Sequence, residues 1–248
     1  MRILILGGSS EASQLARALA TRADIAATLS LAGRTANPAA LPLPTRIGGF
    51  GGVEGLIGYL KAERIDAVID ATHPFAAQMK RHAAEACLTT NTPLAAFTRA
   101  AWIAGPGDNW IDVADAPAAA RALGDAPKRV FLTTGRVQAG AFAGPSHHHF
   151  VLRSIDAPSP GALPASLDLV LARGPFSIAD EIELMRQKRI DVVVSKNAGG
   201  EATRAKIDAA RELKLPVVMI RRPSAPMRAV FEDVENVLDW IEAHRPAP

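Results

Sequence analysis

The sequence predicts an α/β protein made of two wound units, each with a mainly parallel sheet, and a cleft between them. Three observations favour this fold class. Short β-branched or leucine-rich runs alternate with helical patterns, which is typical of parallel strands joined by crossover helices. This rhythm restarts after a turn-rich stretch in the middle of the 248 residues. No apolar run approaches the roughly 20 residues that a membrane-spanning helix requires, so we expect no membrane insertion.

The first unit is predicted to span residues 1–125. Its strands are expected at Arg2–Leu6, Ile25–Leu31, Ala67–Asp70 and Leu94–Phe97. Its helices, indicated by apolar residues at helical spacing, are expected at about Ser10–Arg22, Val53–Arg64, Phe75–Cys87 and Ala116–Leu123. A turn cluster at residues 104–109 precedes the last of these helices, and another turn follows it at residue 125. We therefore place the boundary between the units there.

The second unit is predicted to span residues 126–248. Its strands are expected at Arg129–Leu132, Phe150–Ile155, Leu169–Leu171, Val192–Val194 and Val217–Ile220. A final helix is expected at Val234–Ala243, ending before Pro246, which cannot continue it. The proline-rich segment Pro158–Pro164 is either a mobile lid or a plain surface connection.

Composition narrows the classes of function. Lysine and arginine exceed aspartate and glutamate by 28 to 25, which favours an anionic partner. There is no basic run, and aromatic residues are only 5% of the chain, so a nucleic-acid partner is not expected. Cys87 is the only cysteine, which excludes a disulfide framework and a cysteine-based zinc site. We expect a reducing cytoplasmic location, without a signal peptide.

A glycine turn follows the first strand and leads directly into a helix. Glycines let the backbone turn sharply, and the N–H groups of the helix start then face a site where a pyrophosphate can bind. This geometry predicts a Rossmann-like nucleotide site formed by Gly7, Gly8, Ser9, Ser10 and Glu11. The fingerprint is degenerate, because Ser9 stands at the second glycine position and Ala12 at the third. An ordinary glycine turn is the alternative.

Two further features of the sequence make the prediction of the cofactor more specific. Arg34 follows the second strand, where proteins that bind NAD carry an acidic residue, and its guanidinium can pair with a 2′-phosphate. This favours NADPH, with a lone surface arginine as the alternative. A glycine cluster that includes Gly51 and Gly52 precedes the next helix and predicts a second close approach of backbone to the ligand.

The stretch after the third predicted strand is the main candidate for an active site. Its polar and aromatic residues are Thr72, His73, Pro74 and Phe75. They lie at the carboxyl end of the sheet, where ligands of such folds bind. Thr72 or His73 can hydrogen-bond a carboxamide or a phosphate, and Phe75 can wall an aromatic ring. We take Thr72 and His73 as candidate catalytic residues, with binding favoured over catalysis and a capped helix as the alternative.

Basic and polar residues near other strand ends predict a site for a ligand with many carboxylates. The candidate residues are Arg99, Thr134, Gly135, Arg136, Arg153, Lys196, Asn197, Gly199, Gly200, Lys206 and Arg221. Each charge, taken singly, can also be an ordinary solvated group. The three consecutive histidines at 147–149 are interpreted as a surface loop, because no acidic partner is near them in sequence, and no metal site is predicted.

The order of these motifs resembles the precorrin-6A reductase family of cobalamin biosynthesis, including its cobalt-precorrin members. The matching blocks are Leu6–Ala12, Gly33–Arg34, the glycine cluster ending at Gly52, Asp70–Ala76, Thr134–Arg136, and Lys196–Gly200 with Lys206. They span almost the whole chain, and the block around His73 is the most specific. Ala198 stands where the family more often has serine.

The resemblance implies an NADPH-dependent oxidoreductase acting on CH–CH groups. Such an enzyme delivers hydride to a conjugated tetrapyrrole with acetate and propionate arms, needs no metal, and adds a proton at the neighbouring carbon. Water, a substrate carboxyl or a side chain near Thr72 and His73 can supply that proton. Hand-over of the product to the next pathway enzyme is a further expectation.

Two rival functions stay open at the level of sequence. One is a non-catalytic NADP-sensing protein, and the other is a reductase of a different polycarboxylate. Some enzyme classes are disfavoured, because Tyr59 is followed four residues later by Glu63 rather than by the lysine of short-chain dehydrogenases. The chain also lacks a G-x-S-x-G elbow, a Walker A loop and an H-E-x-x-H pair.

Overall fold

The computed structural model describes residues 1–33, 40–144, 147–158, 161, 163–224, 226 and 229–246. The chain divides into two compact units, the first formed by Met1–Ala100 with Pro223–Pro248 and the second by Ala101–Arg222. The boundary predicted at residue 125 is therefore wrong, because the second unit begins earlier and the C-terminal segment returns to the first. The predicted cleft between the units stays a prediction.

The strands and helices follow one another in the predicted alternation. The strands within the described ranges are β1 (Arg2–Leu6), β2 (Ala26–Leu31), β3 (Thr45–Ile47), β4 (Ala67–Asp70), β5 (Leu94–Phe97), β6 (Trp110–Val113), β7 (Arg129–Leu132), β8 (His149–Ser154), β9 (Leu167–Leu171), β10 (Val192–Lys196), β11 (Val217–Ile220) and β12 (Ala229–Phe231). The α-helices are α1 (Ser10–Leu19), α2 (Val53–Ala62), α3 (Ala77–Thr90), α4 (Ala116–Ala122), α5 (Ile178–Gln187), α6 (Ala205–Glu212) and α7 (Val234–Ala243). Short 3₁₀ helices lie at Arg136–Phe142 and Glu201–Thr203.

Each unit contains one six-stranded sheet, and every pairing between described strands is parallel. The strand orders are β3-β2-β1-β4-β5-β12 in the first unit and β9-β8-β7-β10-β11-β6 in the second. Both orders correspond to the 3-2-1-4-5-6 arrangement of dinucleotide-binding folds. The predicted α/β class with two Rossmann-like units is confirmed.

The sixth strand of each sheet explains the error in the boundary. In the first sheet β12, from the C-terminal segment, pairs with β5, and in the second β6 pairs with β11. In a simple tandem arrangement β6 would instead follow β5 within the first sheet. Thus β12, which comes last in the chain, completes the sheet of the first unit. The strand β6, which follows β5 in the chain, completes the sheet of the second unit.

Helices cover the first sheet on both faces, which explains why its central strands are apolar throughout. On one face α1 and α7 contribute Leu15, Leu19 and Ile241 to a fully buried core. On the other face α2 and α3 contribute a second core that includes Leu56 and Ala83. Among the described residues, no helix is both long and apolar enough to cross a membrane.

Element boundaries agree with the predictions within a few residues, with three kinds of exception. The short edge strands β3, β6 and β12 were not predicted, because three or four residues with exposed positions carry little periodic signal. The helix α5 was also not predicted. Finally, α3 begins at Ala77 rather than Phe75, because the Ala76 N–H donates to the His73 carbonyl, 2.8 Å away, in a separate turn.

Candidate functional site

The first unit contains a pocket of about 710 Å³ at the carboxyl ends of β1, β2 and β4. This volume is in the range of small-molecule and cofactor sites. Of the predicted cofactor residues, the pocket is lined by Gly7, Gly8, Gly51, Gly52, Thr72, His73 and Phe75. The pocket lies where the strand order reverses between β1 and β4, which is the ligand position in open parallel sheets.

The turn between β1 and α1 is built for close approach of backbone to a ligand. A Cβ atom at Gly7 would lie 2.6 Å from the Leu29 Cδ1 atom, so a larger residue would require the Leu29 side chain in β2 to shift. Gly8 has a φ of +111°, which side chains rarely allow, and the space beside it is open. The turn therefore presents bare backbone to the pocket.

Ser9 caps α1 and fastens the turn to the neighbouring strand. Its hydroxyl donates to the Ala71 carbonyl at 2.7 Å and accepts from the Ala12 N–H at 3.2 Å. As far as the described residues form it, the pocket lining includes neither Ser9 nor its neighbours Ser10 and Glu11. The predicted phosphate contacts of these three residues stay predictions, and the observed role of Ser9 is to hold the turn.

Glu11 forms an ion pair with Arg99, at 2.8 Å between Oε2 and Nη1. Burial alone would raise the pKa of the Glu11 carboxyl, but a backbone hydrogen bond and the Arg99 guanidinium together hold it below its usual value. Arg99 was predicted to bind substrate. The structure instead places it in the first unit, where it also donates to the Ser10 hydroxyl at 3.2 Å, so its observed contacts stabilise the start of α1.

The glycine cluster before α2 is held by Arg46, which sequence reasoning missed. The Arg46 guanidinium donates to the Ser30 hydroxyl at 2.8 Å and to the Gly48 and Gly49 carbonyls at 3.0 and 3.1 Å. It also lies 3.9 Å from the centre of the Phe50 ring. These contacts fix the loop that carries Gly51 and Gly52, and nothing in the local pattern of the sequence signals them.

Asp70, Thr72 and Lys80 form a buried polar cluster at the end of β4. One carboxylate oxygen of Asp70 accepts from the Thr72 hydroxyl at 2.6 Å and from the Thr72 N–H at 2.9 Å. The other oxygen accepts from the Lys80 ammonium at 3.0 Å. Asp70 is fully buried and Lys80 is 5% exposed, so this is an internal ion pair attached to a residue of the pocket wall. Sequence reasoning did not single out Asp70 or Lys80 as site residues.

His73 and Phe75 lie beside one another in the pocket wall, with ring centres 6.0 Å apart. The Phe75 N–H donates to His73 Nδ1 at 3.2 Å, so in the neutral ring the proton is on Nε2. Pro74 between them is buried. The start of α3 adds Gln78, Arg81 and His82 to the lining, none of which was predicted.

Arg34, on which the preference for NADPH depends, lies outside the described residues. Gly33, the last described residue before it, lines the pocket together with Leu31 and Ala32.

In the second unit, the turn after β7 carries Thr134, Gly135 and Arg136. The Thr134 side chain is 1% exposed, and its hydroxyl oxygen has no hydrogen-bond partner among the described residues. Gly135 has a φ of +78°, and Arg136 donates to the Ala157 carbonyl at 3.2 Å. A buried hydroxyl without a partner is rare in folded proteins, and the predicted substrate contact of this turn stays a prediction.

The loop after β10 is held rigidly by its own unit. The Asn197 side chain accepts from the Trp102 N–H at 2.8 Å and donates to the Trp102 carbonyl at 2.9 Å. Arg222 donates to the Asn197 and Ala198 carbonyls, both at 2.9 Å, and the Trp102 indole donates to the Gly200 carbonyl at 3.1 Å. Asn197 was predicted to bind substrate, whereas its side-chain hydrogen bonds to Trp102 shape the loop. Gly199 next to it is buried.

Two lysines flank this loop. Burial lowers the pKa of the Lys196 ammonium to about 8. Lys206 on α6 is 5% exposed, and its ammonium donates to the Thr203 carbonyl at 2.6 Å and lies 5.0 Å from the Trp102 ring centre. Thr203 itself is the last residue of the preceding 3₁₀ helix. Arg221, the remaining predicted cation, is exposed at the end of β11.

Arg153 is buried in the core of the second unit. Its guanidinium lies 3.8 Å from the centre of the Phe176 ring, 5.1 Å from that of Phe131, and 2.7 Å from a carboxylate oxygen of Glu181. Its side chain is 8% exposed and that of Glu181 is 1% exposed. These are internal contacts of the second unit, and the predicted contact of Arg153 with substrate stays a prediction.

The prediction of a surface loop at residues 147–149 is also wrong in part. His149 begins β8, and its Nε2 lies 3.4 Å from Asp168, an acidic partner that sequence separation concealed. His148 is 6% exposed, and this burial lowers its pKa. Among the described residues there is no group of three histidine, cysteine or acidic side chains that could hold a metal ion.

Comparison with known proteins identifies the family. A model of the family described as precorrin-6x reductase CbiJ/CobK matches residues 2–242. The chain belongs to the precorrin-6x reductase family. It is 49% identical over 248 residues to a precorrin-6A reductase of Rhodobacter capsulatus, covering 100% of this chain and 98% of that protein. It is 48% identical over 242 residues to a precorrin-6A reductase of Mycobacterium tuberculosis, covering 97% of each.

A solved structure gives the same answer for the fold. The structure titled CobK precorrin-6A reductase superimposes with a TM-score of 0.92 at 48% identity, covering 100% of this chain and 98% of that one. The resemblance to the precorrin-6x reductase family seen in the sequence motifs is therefore confirmed. Within this family member, the pocket of the first unit brings together seven of the twelve residues predicted to hold a cofactor. The second unit instead uses several of the predicted substrate residues for internal contacts.

Proposed function

We propose that the protein reduces precorrin-6A with NADPH in cobalamin biosynthesis. The observation that carries this proposal is the pocket of about 710 Å³ at the switch point of the first sheet, in a member of a reductase family. The reaction acts on a CH–CH group of the macrocycle, and the second unit supplies residues for its carboxylates.

The first unit fits a nicotinamide dinucleotide in three ways. Gly7 and Gly8 leave the backbone exposed to the pocket before α1, where a pyrophosphate can accept hydrogen bonds from N–H groups. The loop of Gly51 and Gly52 borders the same pocket, and Phe75 offers an aromatic wall. The cofactor supplies the hydride, and the residues of the protein bind and orient both reactants.

The preference for NADPH over NADH is proposed from Arg34. A guanidinium at the end of the second strand can pair with a 2′-phosphate. Gly33, the residue before Arg34, lines the pocket. We expect Arg34→Ala to weaken NADPH binding at least tenfold while NADH binding stays nearly unchanged. Equal losses for both cofactors would remove Arg34 from the 2′-phosphate site.

The macrocycle is proposed to bind the second unit. Support comes from the buried, unpartnered hydroxyl of Thr134 beside Gly135 and Arg136, and from Lys196 with the Gly199–Gly200 backbone. Lys206 and the exposed Arg221 are proposed as further contacts of its carboxylates. Arg99 and Arg153 are not proposed, because each is paired with a glutamate within its own unit.

The proposal is tested by mixing the purified protein with NADPH and precorrin-6A and following the loss of NADPH absorbance. We expect stoichiometric oxidation of NADPH and a product two hydrogens heavier. Arg136→Ala and Lys196→Ala should raise the KM for the macrocycle without changing NADPH affinity. Tight NADPH binding without turnover would instead support an NADP sensor, and turnover only with another polycarboxylate would change the substrate.

We also propose a cytoplasmic location, since the sequence has a single cysteine, Cys87, and therefore no disulfide framework. Hand-over of the product to the next enzyme is proposed from the family's place in a pathway of multi-carboxylate intermediates. Incubation with and without that enzyme tests it, because hand-over predicts faster product release in its presence.

A further inference from the structure

The hydrogen bonds of Thr72 fix the direction in which its hydroxyl proton points. A threonine hydroxyl has one proton to donate and two lone pairs that can accept. The proton is directed to Asp70 at 2.6 Å, and a carboxylate paired with the Lys80 ammonium is an acceptor only. The Thr72 hydroxyl can therefore offer a ligand an acceptor, but it cannot donate to one.

This polarity distinguishes between the ligand groups that Thr72 could meet. Phosphate oxygens need a donor, so Thr72 is unsuited to bind them. The amide nitrogen of a nicotinamide carboxamide carries two N–H donors and needs an acceptor. The sequence alone left the carboxamide and the phosphate open, and the buried cluster decides between them.

The position of Thr72 in the pocket also favours the carboxamide over a phosphate. In a 3-2-1-4-5-6 sheet the dinucleotide crosses the switch point, with its adenosine half towards the second strand. Leu31, the last residue of β2, and Gly33, which follows that strand, line one part of the pocket. Thr72 follows β4, on the opposite side of β1. The nicotinamide half of a bound dinucleotide would then lie beside β4.

We propose that Thr72 accepts a hydrogen bond from the carboxamide N–H group of the nicotinamide, and that Asp70 and Lys80 are positioning residues that fix this polarity. Lys80 pairs with one carboxylate oxygen of Asp70, the other oxygen orients the Thr72 proton inwards, and the remaining lone pairs of Thr72 select the carboxamide. This inference rests on the proposed function, because it assumes that the pocket of the first unit holds a nicotinamide dinucleotide.

The test compares two cofactors that differ only in the donor. In 3-acetylpyridine adenine dinucleotide phosphate an acetyl group replaces the carboxamide, so the carbonyl remains and the N–H groups are lost. We expect the full-length wild-type protein, titrated by calorimetry without macrocycle, to bind NADP⁺ about tenfold more tightly than this analogue. In Thr72→Val the two affinities should lie within about twofold of each other, whereas Thr72→Ser should keep most of the preference.

A double variant examines the positioning residues. Asp70→Asn with Lys80→Met removes both buried charges together, so that no uncompensated charge remains in the fold. We expect it to lose the preference for NADP⁺ over the analogue, because the asparagine can donate to the Thr72 oxygen. A merely structural role for the cluster would weaken both cofactors equally and leave their ratio at the wild-type value, which would overturn the assignment of Asp70 and Lys80.

The outcomes separate this inference from the proposed function. If the wild-type protein binds neither NADP⁺ nor the analogue, the proposed cofactor is wrong. If it binds both equally, or if Thr72→Val retains the tenfold preference, the cofactor stands and the contact between Thr72 and the carboxamide is wrong. The affinity for thionicotinamide adenine dinucleotide phosphate, which keeps its N–H donors, should follow that for NADP⁺ in every variant.

Discussion

The two units share one strand order but use their polar residues in different ways. In the first unit, Gly7 and Gly8 leave the backbone bare at the pocket, and the Asp70–Lys80 pair is joined to it through Thr72. In the second unit, Arg153 and Arg222 are engaged within the core and the β10 loop. The shared topology places strand ends at one edge of each sheet, and the partners of each side chain decide what that edge can bind.

The difference also shows which charges can serve a ligand. A cation that already has a buried carboxylate gains little from a second one, and removing it leaves that carboxylate uncompensated. The four predictions below test this difference between the two units.

The largest expected effect is on stability, at Arg153. We expect Arg153→Met to lower the free energy of unfolding by about 3–5 kcal/mol, because Glu181 would be left buried without its cation. Adding Glu181→Leu should restore most of the loss, and Arg221→Ala, at an exposed site, should change stability by less than about 0.5 kcal/mol. Urea denaturation measures all three. Unchanged stability with weaker macrocycle binding would return Arg153 to the substrate site.

The next effect compares matched glycines in the two turns. Gly8→Val and Gly135→Val each force a side chain onto a positive φ, at a cost of about 1–3 kcal/mol. We expect Gly8→Val to raise the Kd for NADP⁺ by about 10- to 100-fold and Gly135→Val to leave it unchanged, as measured by calorimetry. An equal loss from Gly135→Val would show that the two turns are not functionally distinct.

A pH effect follows from Lys196. Its pKa of about 8 means that the ammonium loses its proton as the pH rises through 8, and a neutral amine cannot pair with a carboxylate. We expect the KM for the macrocycle to rise by up to about tenfold for each pH unit above about 8. In Lys196→Arg this rise should disappear, since a guanidinium stays charged. A rise that persists in Lys196→Arg would assign the pH dependence to another group.

The smallest effect is expected for the Glu11–Arg99 pair, which is partly exposed. We expect Arg99→Met to cost about 1 kcal/mol of stability at neutral pH and to leave macrocycle affinity unchanged. The pKa of Glu11 is depressed in the folded state, so the pair stabilises the protein above the usual value of 4.5 and less as the pH falls below it. Denaturation at acidic and neutral pH should show this difference shrinking with acid.

Most of the strands and helices, the glycine turn, the block around Thr72 and the family could be predicted from the sequence alone. These features are local: β1 and α1 follow from the apolar pattern of residues 2–19, and the turn from Gly7 and Gly8. The pocket of the first unit accordingly contains most of the residues predicted for the cofactor.

The exchange of the edge strands β6 and β12 between the two sheets, and the partners of the charged residues, are visible only in the tertiary structure. The strands β6 and β12 are too short to be recognised alone, since their stability comes from the neighbouring strand. Arg99 meets Glu11 across 88 positions of sequence, and Arg153 meets Glu181 after a loop and a strand. Pairing over such distances depends on how the sheet is assembled. The hydrogen bonds from Thr72 and Lys80 to Asp70, on which the proposed role of Thr72 rests, are likewise visible only in the folded chain.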